Sequence, residues 1–353
     1  MRHISDHAVL AQAVREGQRL ALARLLSLIE NEQPQGEAAL AELYPLTGRA
    51  YIVGVTGAPG TGKSSLVNEL AKTLRAKIYP GLHGSRPPAV AIVAVDPTSP
   101  FSGGAILGDR IRMRDLAGDT GVFVRSMASR GSLGGLAHTT SSVADALDAA
   151  GFEVILIETV GAGQAEVDIA HHAHTTLVIE SPGMGDDIQA IKAGILEIAD
   201  LLVVNKADLP GAENAVRVLR AALDLGGNAG GPAASGGTEA RWQVPILQTV
   251  ATTGQGVEPL VEAVLHHRDY LQASGQWRER GQQRVAAALD ARLRDRLAQR
   301  WHAAQPDGRY PEMVARVVRR ELSPAAAVQE MLGDEPAPDS AASHQAARAG
   351  VRR

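Results

Sequence analysis

Apolar positions follow two rhythms along this chain. Leu22, Leu25, Leu26 and Ile29 recur at i, i+3, i+4 and i+7, one stripe of an α-helix. Asn31 reads as its stop and Pro34-Gln35-Gly36 as a break; a short second helix, 37–43, leads to Pro45 and Gly48. From residue 51 the rhythm changes. Short aliphatic runs at 51–56, 89–95, 122–124, 154–158, 176–180, 201–205 and 245–250 alternate with helical stretches such as 64–74, 139–150, 187–198 and 212–223. Most runs are apolar throughout rather than at every second position. A strand needs that pattern only when helices cover both its faces, so the runs predict a parallel sheet. The fold class is α/β, a doubly wound, mostly parallel sheet with N-terminal and C-terminal helical extensions.

After Tyr270 the chain turns helical and Arg-rich. Val285, Leu289, Leu293, Leu297 and Trp301 recur every four residues, and Met313, Val314, Val317, Val318 and Leu322 form a second stripe. Two helices joined at Pro306-Asp307-Gly308 cannot bury both stripes alone, so they are expected to pack on the α/β domain or on a partner chain. The glycine-rich stretch 226–240 reads as a flexible surface loop, and the tail from Gly333 has the composition of a disordered segment. The expected organisation is an N-terminal helical extension at 1–48, the α/β domain at 49–272, a C-terminal helical arm at 273–332 and a tail at 333–353.

Composition narrows the chemistry. The 353 residues contain no cysteine, which excludes a disulfide framework, a thiolate metal site and a Cys nucleophile. Lys and Arg number 35 against 39 Asp and Glu, a net charge of -4 that argues against a nucleic-acid partner or an anionic membrane surface. The polar start lacks an apolar leader and no apolar run is long enough to span a bilayer, so the expected location is the cytoplasm.

The strongest signal is Gly57-Ala58-Pro59-Gly60-Thr61-Gly62-Lys63-Ser64, followed by Ser65. It matches G-x-x-x-x-G-K-[ST], and it sits between a predicted strand and a predicted helix, where a P-loop belongs. Glycines let backbone N–H groups converge on phosphate oxygens, and the helix N-terminus adds a positive dipole end. Lys63 reaches the β- and γ-phosphates, and the Ser64 hydroxyl can bind Mg²⁺. Asn205-Lys206-Ala207-Asp208 then selects the base. The Asp208 carboxylate can accept from N1–H and the amino group of guanine, whereas adenine would leave it unpaired. Asn205 buttresses the loop and the Lys206 stem covers the base. Val250-Ala251-Thr252, after the last strand, stands where a backbone contact to guanine is usual. The expected ligands are GTP and GDP with Mg²⁺.

Acids near the phosphates come from three places. Glu158 ends a predicted strand and can hold Mg²⁺, with Gly161 three residues on to sense the γ-phosphate. Gln164 does not directly follow Gly161, so the water-orienting role is open and slow intrinsic hydrolysis, raised by a partner, is expected. Asp96 ends another strand and Asp109 lies in a glycine-flanked segment; Asp109 suits the metal better, Asp96 through water, and a solvated loop acid is the alternative. The 182–192 segment, Pro182-Gly183-Met184-Gly185-Asp186 onward, reads on its residues alone as a loop and helix cap. His171, His172 and His174 could suggest a metal relay, but neighbouring histidines on one helix diverge and no Cys or acid completes a set, so packing or solvated roles are favoured.

Taken together, Gly57–Ser65, Asp96-Pro97-Thr98-Ser99, 108–113, Glu158-Thr159-Val160-Gly161, 182–186 and Asn205–Asp208 resemble the MeaB/ArgK family of GTPases, the methylmalonyl-CoA mutase-associated chaperones, over about residues 10–332. The resemblance implies a homodimeric, cytoplasmic P-loop GTPase. Such a protein binds an adenosylcobalamin-dependent acyl-CoA mutase, gates cofactor delivery from a cobalamin adenosyltransferase, and protects or rescues the mutase. It implies that Asp96, Asp109 and Glu158 belong to the Mg²⁺ and switch apparatus. It makes 182–192 a third switch in which Asp186, Gln189 and Lys192 link the mutase to hydrolysis, and the helices after 277 a dimerisation arm. The alternatives are a transport-linked ATPase or kinase, against which Asp208 speaks, and a nickel-insertion GTPase, which the missing cysteines disfavour.

Overall fold

The computed structural model describes residues 7–82, 85–97, 114–116, 118–129, 135–159, 165–183, 193–225, 242–306 and 308–333. The chain divides into two compact units, Met1–Arg294 and Asp295–Arg353.

Three helices open the first unit: α1 (His7–Arg15), α2 (Arg19–Glu30) and α3 (Pro34–Leu43). Leu22, Leu25, Leu26 and Ile29 are all buried, and Asn31 caps α2. Pro34-Gln35-Gly36 is not a break but the first turn of α3. Proline suits a helix start because the N–H it lacks would have no partner there, and Gly36 is buried where a Cβ would meet that of Leu28 at 2.8 Å.

Seven strands follow: β1 (Tyr51–Thr56), β2 (Val90–Pro97), β3 (Val122–Ser129), β4 (Val154–Thr159), β5 (Thr175–Glu180), β6 (Leu201–Asn205) and β7 (Ile246–Thr249). They form one sheet in the order β3-β2-β4-β1-β5-β6-β7, every pairing parallel. Each run predicted as a strand contributes one strand; β3 alone is much longer than its apolar core, because Arg125 and Ser126 interrupt the apolar pattern without ending the ladder.

Alternate residues point to opposite faces. Tyr51, Val53, Val55, Leu156 and Ile179 pack with Leu66, Val67 and Leu70 of α4 (Lys63–Ala76) and Leu260 and Val261 of α9 (Val257–Ala273). Ile52, Val93, Ile155 and Ile157 pack on the other face with α2, α3 and α5 (Gly135–Ala149). The N-terminal helices therefore share a core with the sheet. Beyond β5, Val178, Leu202 and Val204 are covered by α7 (Ala193–Glu197) and α8 (Ala212–Leu225); a short α6 (Ala165–Asp168) precedes β5.

α10 (Gln276–Ala304) is fastened to the amino ends of the strands by a polar and aromatic cluster. Arg280 forks onto Asp200, with Nη1 and Nη2 each 2.8 Å from a carboxylate oxygen, and also donates to the His174 carbonyl. Trp277 stacks on the His174 ring, centroids 4.0 Å apart and 7° from parallel. Burial, then the nearby Arg284 and Arg280, holds His174 well below the usual imidazole range. Of the His171/His172/His174 group, His172 and His174 are taken up by packing, His172 with Ser141 and His174 with Trp277 and the Ile52 N–H, while His171 is exposed. Removing one partner of a buried ion pair such as Arg280 and Asp200 strands the other charge. Arg280→Ala is expected to destabilise this unit by about 3 kcal/mol, read as a lower urea midpoint at unchanged slope.

The second unit holds α11 (Arg309–Val318) and α12 (Pro324–Leu332) beside the end of α10. The third helix, α12, departs from the two-helix expectation; Ser323 caps it by accepting from the Ala326 N–H at 3.2 Å. Met313 and Ala327 are buried, and Trp301 Nε1 donates to the Met331 carbonyl. Leu293 and Leu297, by contrast, are 54% and 56% exposed, so the described residues leave these two positions of the predicted stripe uncovered. No helix among the described residues is long and apolar enough to cross a membrane.

Candidate functional site

The carboxyl edge of the sheet gathers the sequence motifs at 57–64, 158 and 205–208. β1 and β6 stand two positions apart with β5 between them, and β4 flanks β1 on the other side. The carboxyl ends of β1, β4, β6 and β7 therefore lie close together, as at the crevice where strand order reverses in open α/β sheets.

The loop 57–62 runs from β1 into α4. Two of its glycines are required by geometry. Gly57 has φ +138°, and a Cβ there would stand 2.1 Å from the Ile179 carbonyl oxygen. Gly62 has φ +90° and lies so close to Asn205 that a Cβ would meet Nδ2 at 2.5 Å. Pro59 and Gly60 form the exposed tip, while Thr61, whose hydroxyl donates to the Ala58 carbonyl, is buried. Lys63 and Ser64, at the start of α4, are also buried. The Lys63 ammonium donates to the carbonyls of Gly57 (2.7 Å) and Ala58 (3.0 Å), so it lies folded over the loop.

Glu158 sits beside Val55 in the register of β4 on β1, on the α4 face of the sheet. It is buried, and the Ser64 hydroxyl donates to its Oε1 at 2.5 Å. One alcohol and one carboxylate in contact make a hard oxygen donor set, the chemistry Mg²⁺ prefers. On the opposite face the Thr159 hydroxyl donates to that of Thr56 at 3.1 Å, tying the end of β4 to the end of β1.

Asn205 is the knot between loops. Its Nδ2 donates to the Thr61 carbonyl (2.8 Å), and its Oδ1 accepts from the Thr249 hydroxyl and the Ala251 N–H, both at 3.1 Å. Lys206 adopts φ +57° and donates through Nζ to the Gly60 carbonyl at 2.7 Å. Beside this knot is a cavity of about 200 Å³ whose walls include Ser65, Asp208, Val250, Ala251 and Thr252. The motif at 205–208 and the weakly signalled 250–252 thus meet in one cavity. Two further residues belong to the site without a motif to announce them: Leu209, also in the wall and 44% exposed, and Thr249, which holds Asn205. A β7 residue facing Asn205 across the β6–β7 pair is visible only once the register is known.

Asp96 lies on β2 opposite Ala128 of β3, at the same edge; its side chain is outside the description. Asp109, Gly161, Gln164, Asp186, Gln189 and Lys192 lie outside the described residues, as does the 226–240 stretch.

Comparison with known proteins gives a consistent picture. A family model described as methylmalonyl Co-A mutase-associated GTPase MeaB matches residues 22–306. A putative GTPase of Pyrococcus abyssi is 42% identical over 92% of this chain and 95% of its own length. A mitochondrial methylmalonic aciduria type A homolog of Caenorhabditis elegans is 35% identical over 56% of this chain and 51% of its own. Among solved structures, a LAO/AO transport system kinase aligns with a TM-score of 0.66 and 25% identity, covering 94% of this chain and 98% of that one.

Proposed function

Because the chain belongs to the family of methylmalonyl-CoA mutase-associated GTPases, we propose that it is a Mg²⁺-dependent GTP switch that chaperones an adenosylcobalamin-dependent acyl-CoA mutase. The observation that carries the nucleotide part is the meeting of the 57–64 loop, the Asn205 knot and the Asp208 cavity at one sheet edge.

On this reading GTP lies with its phosphates on the loop and its base in the cavity. Backbone N–H groups of 58–65 face the phosphates, and Lys63 exchanges the Gly57 and Ala58 carbonyls for the β- and γ-phosphate oxygens. Asp208 accepts from the guanine edge, Lys206 lies along the base, and the 250–252 backbone completes the cavity. Ser64 and Glu158 would hold Mg²⁺, joined by Asp109 and, through water, Asp96; the ion would supply neutralisation of charge building on the phosphate oxygens. Gly161 reports the γ-phosphate.

The handover role rests on the family description and on the methylmalonic aciduria relative. Here the client is an acyl-CoA mutase, methylmalonyl-CoA mutase by default, with a cobalamin adenosyltransferase as cofactor source. The GTPase acts as a homodimer in the cytoplasm, with the arm after 273 as dimer element and 1–48 as helical extension. Asp186, Gln189 and Lys192 form the segment that senses the client. A transport-linked ATPase or kinase must use ATP, whose adenine would leave the Asp208 carboxylate unpaired.

The test is a pull-down from cell extract with the chain loaded with a non-hydrolysable GTP analogue, followed by turnover with the captured mutase. The mutase is expected to raise kcat at least tenfold, and Lys192→Ala to blunt that rise while basal turnover persists. Equal affinity for ATP and GTP would overturn the nucleotide reading. Absence of any cobalamin mutase among captured proteins, with GTP preference intact, would overturn the client alone.

A further inference from the structure

A second cavity lies in the first unit, on the side of the sheet away from α4. It has a volume of about 390 Å³, inside the ~300–1,000 Å³ usual for small-molecule sites. One wall is aliphatic, from Leu40 and Ala41 of α3 and Ala288 and Leu289 of α10. The other is charged. Arg284 and Arg292 stand eight residues apart on α10, hence on one helix face, and Asp145 of α5 lines the same space.

Asp145 and Arg284 are half-buried and Arg292 is exposed at the rim of the cavity, and most of their polar atoms bond to no described residue. Asp145 makes no hydrogen bond or ion pair to any described residue, and burial pushes its carboxyl up to about 6. Of the Arg284 nitrogens only Nη1 is engaged, 2.6 Å from the His174 ring; Nε and Nη2 donate to no described residue. Arg292 uses only Nη2, on the Ser142 hydroxyl at 2.6 Å. A guanidinium carries five N–H donors, so two sets of donors converge on a space walled by aliphatic side chains.

The sign of the charge follows from what can titrate. The guanidinium groups supply the positive charge of this wall. The carboxyl between them can give its charge up by taking a proton. The pocket can therefore become net positive but not net negative, and a neutral Asp145 turns from acceptor to donor. We propose that this cavity is a second ligand site, separate from the nucleotide cradle, that takes a small organic anion with an aliphatic body. The carboxylate or phosphate head sits between Arg284, Arg292 and Asp145, and the body lies on Leu40, Ala288 and Leu289.

Anion binding raises the proton affinity of Asp145 further, so binding takes up a proton near neutral pH. The charged groups around Asp145 come from three helices. Arg284 and Arg292 on α10 attract an anion, Asp148 on α5 is committed to the N–H groups of Gly48, Arg49 and Ala50, and Glu37 and Tyr44 lie at the cavity wall on the α3 side, where the Glu37 carboxylate opposes the anion and favours a protonated Asp145.

The test is calorimetry on the full chain with hexanoate, hexyl phosphate and hexylamine at pH 6.0 and 7.5. One of the two anions is expected to bind with one-to-one stoichiometry, more tightly at pH 6.0, while hexylamine does not bind. The tighter anion identifies the head. Arg292→Ala is expected to weaken binding about tenfold or more, and its basal GTP turnover, unchanged, reports an intact fold. No binding of either anion at millimolar concentration overturns the proposal. So does binding that Arg292→Ala leaves unaltered, or a cavity filled by a second copy of the chain, seen as Arg292→Ala changing the sedimentation of the protein with no anion bound.

Discussion

Lys63→Ala is expected to reduce GTP turnover by a factor of about 10²–10³ or more, the usual consequence of removing one preorganised donor from developing charge, or roughly 3–4 kcal/mol in the barrier. The reason lies in the position of the ammonium. It is buried at the first residue of α4 and donates to two carbonyls of the loop that leaves β1. Those carbonyls hold the side chain over the loop that would receive the phosphates. A neutral methyl there leaves the γ-phosphate without its cation. The fold should survive, because loop and helix are fixed by other contacts: Gly57 against Ile179, the Thr61 carbonyl on Asn205, and Leu66 and Leu70 in the core. Single-turnover phosphate release and thermal unfolding separate the two effects. Wild-type release from the variant would remove Lys63 from the cradle; a collapse of the melting temperature would make its role structural.

Much of this site is legible in the amino-acid sequence because its signals are local. A phosphate loop needs glycines at fixed offsets, a lysine and a hydroxyl residue in consecutive positions, so the requirement is written within nine residues. Strands buried on both faces leave unbroken apolar runs, which is why Tyr51–Thr56 and Leu201–Asn205 have the bounds the sequence suggests. What stays illegible depends on partners far away along the chain. Arg280 and Asp200 are eighty residues apart, and neither has a pattern that names the other. Trp277 has the character of a packing anchor, but the identity of its partner, His174, follows only from the place where β5 begins beside β1. Thr249 reaches Asn205 through the β6–β7 register. Pro34 misleads because proline breaks a helix from within but opens one from its first turn.

Asp208→Asn is expected to lower the preference for GTP over ATP by about 10²-fold, because one hydrogen bond to a charged acceptor, worth ~1.5–3 kcal/mol, is lost and the other is weakened to one with a neutral acceptor. The carboxylate stands in the wall of the cavity that Val250, Ala251 and Thr252 close from the other side. Guanine presents two adjacent donors on its Watson–Crick edge, and an ionised carboxylate has two acceptor oxygens and no donor, so the match is complete. An amide keeps one acceptor and turns the other position into a donor. That arrangement suits xanthine, which carries a carbonyl where guanine carries its amino group, and xanthosine triphosphate should gain as GTP loses. The exchange of preference has the advantage of not depending on overall affinity: a variant that merely disturbs the Asn205 knot weakens all three nucleotides together. Competition of the three against a fluorescent GDP analogue measures it directly. A GTP-to-ATP ratio that stays at the wild-type value would move base reading from Asp208 to the 250–252 backbone, whose Ala251 N–H is already held by Asn205.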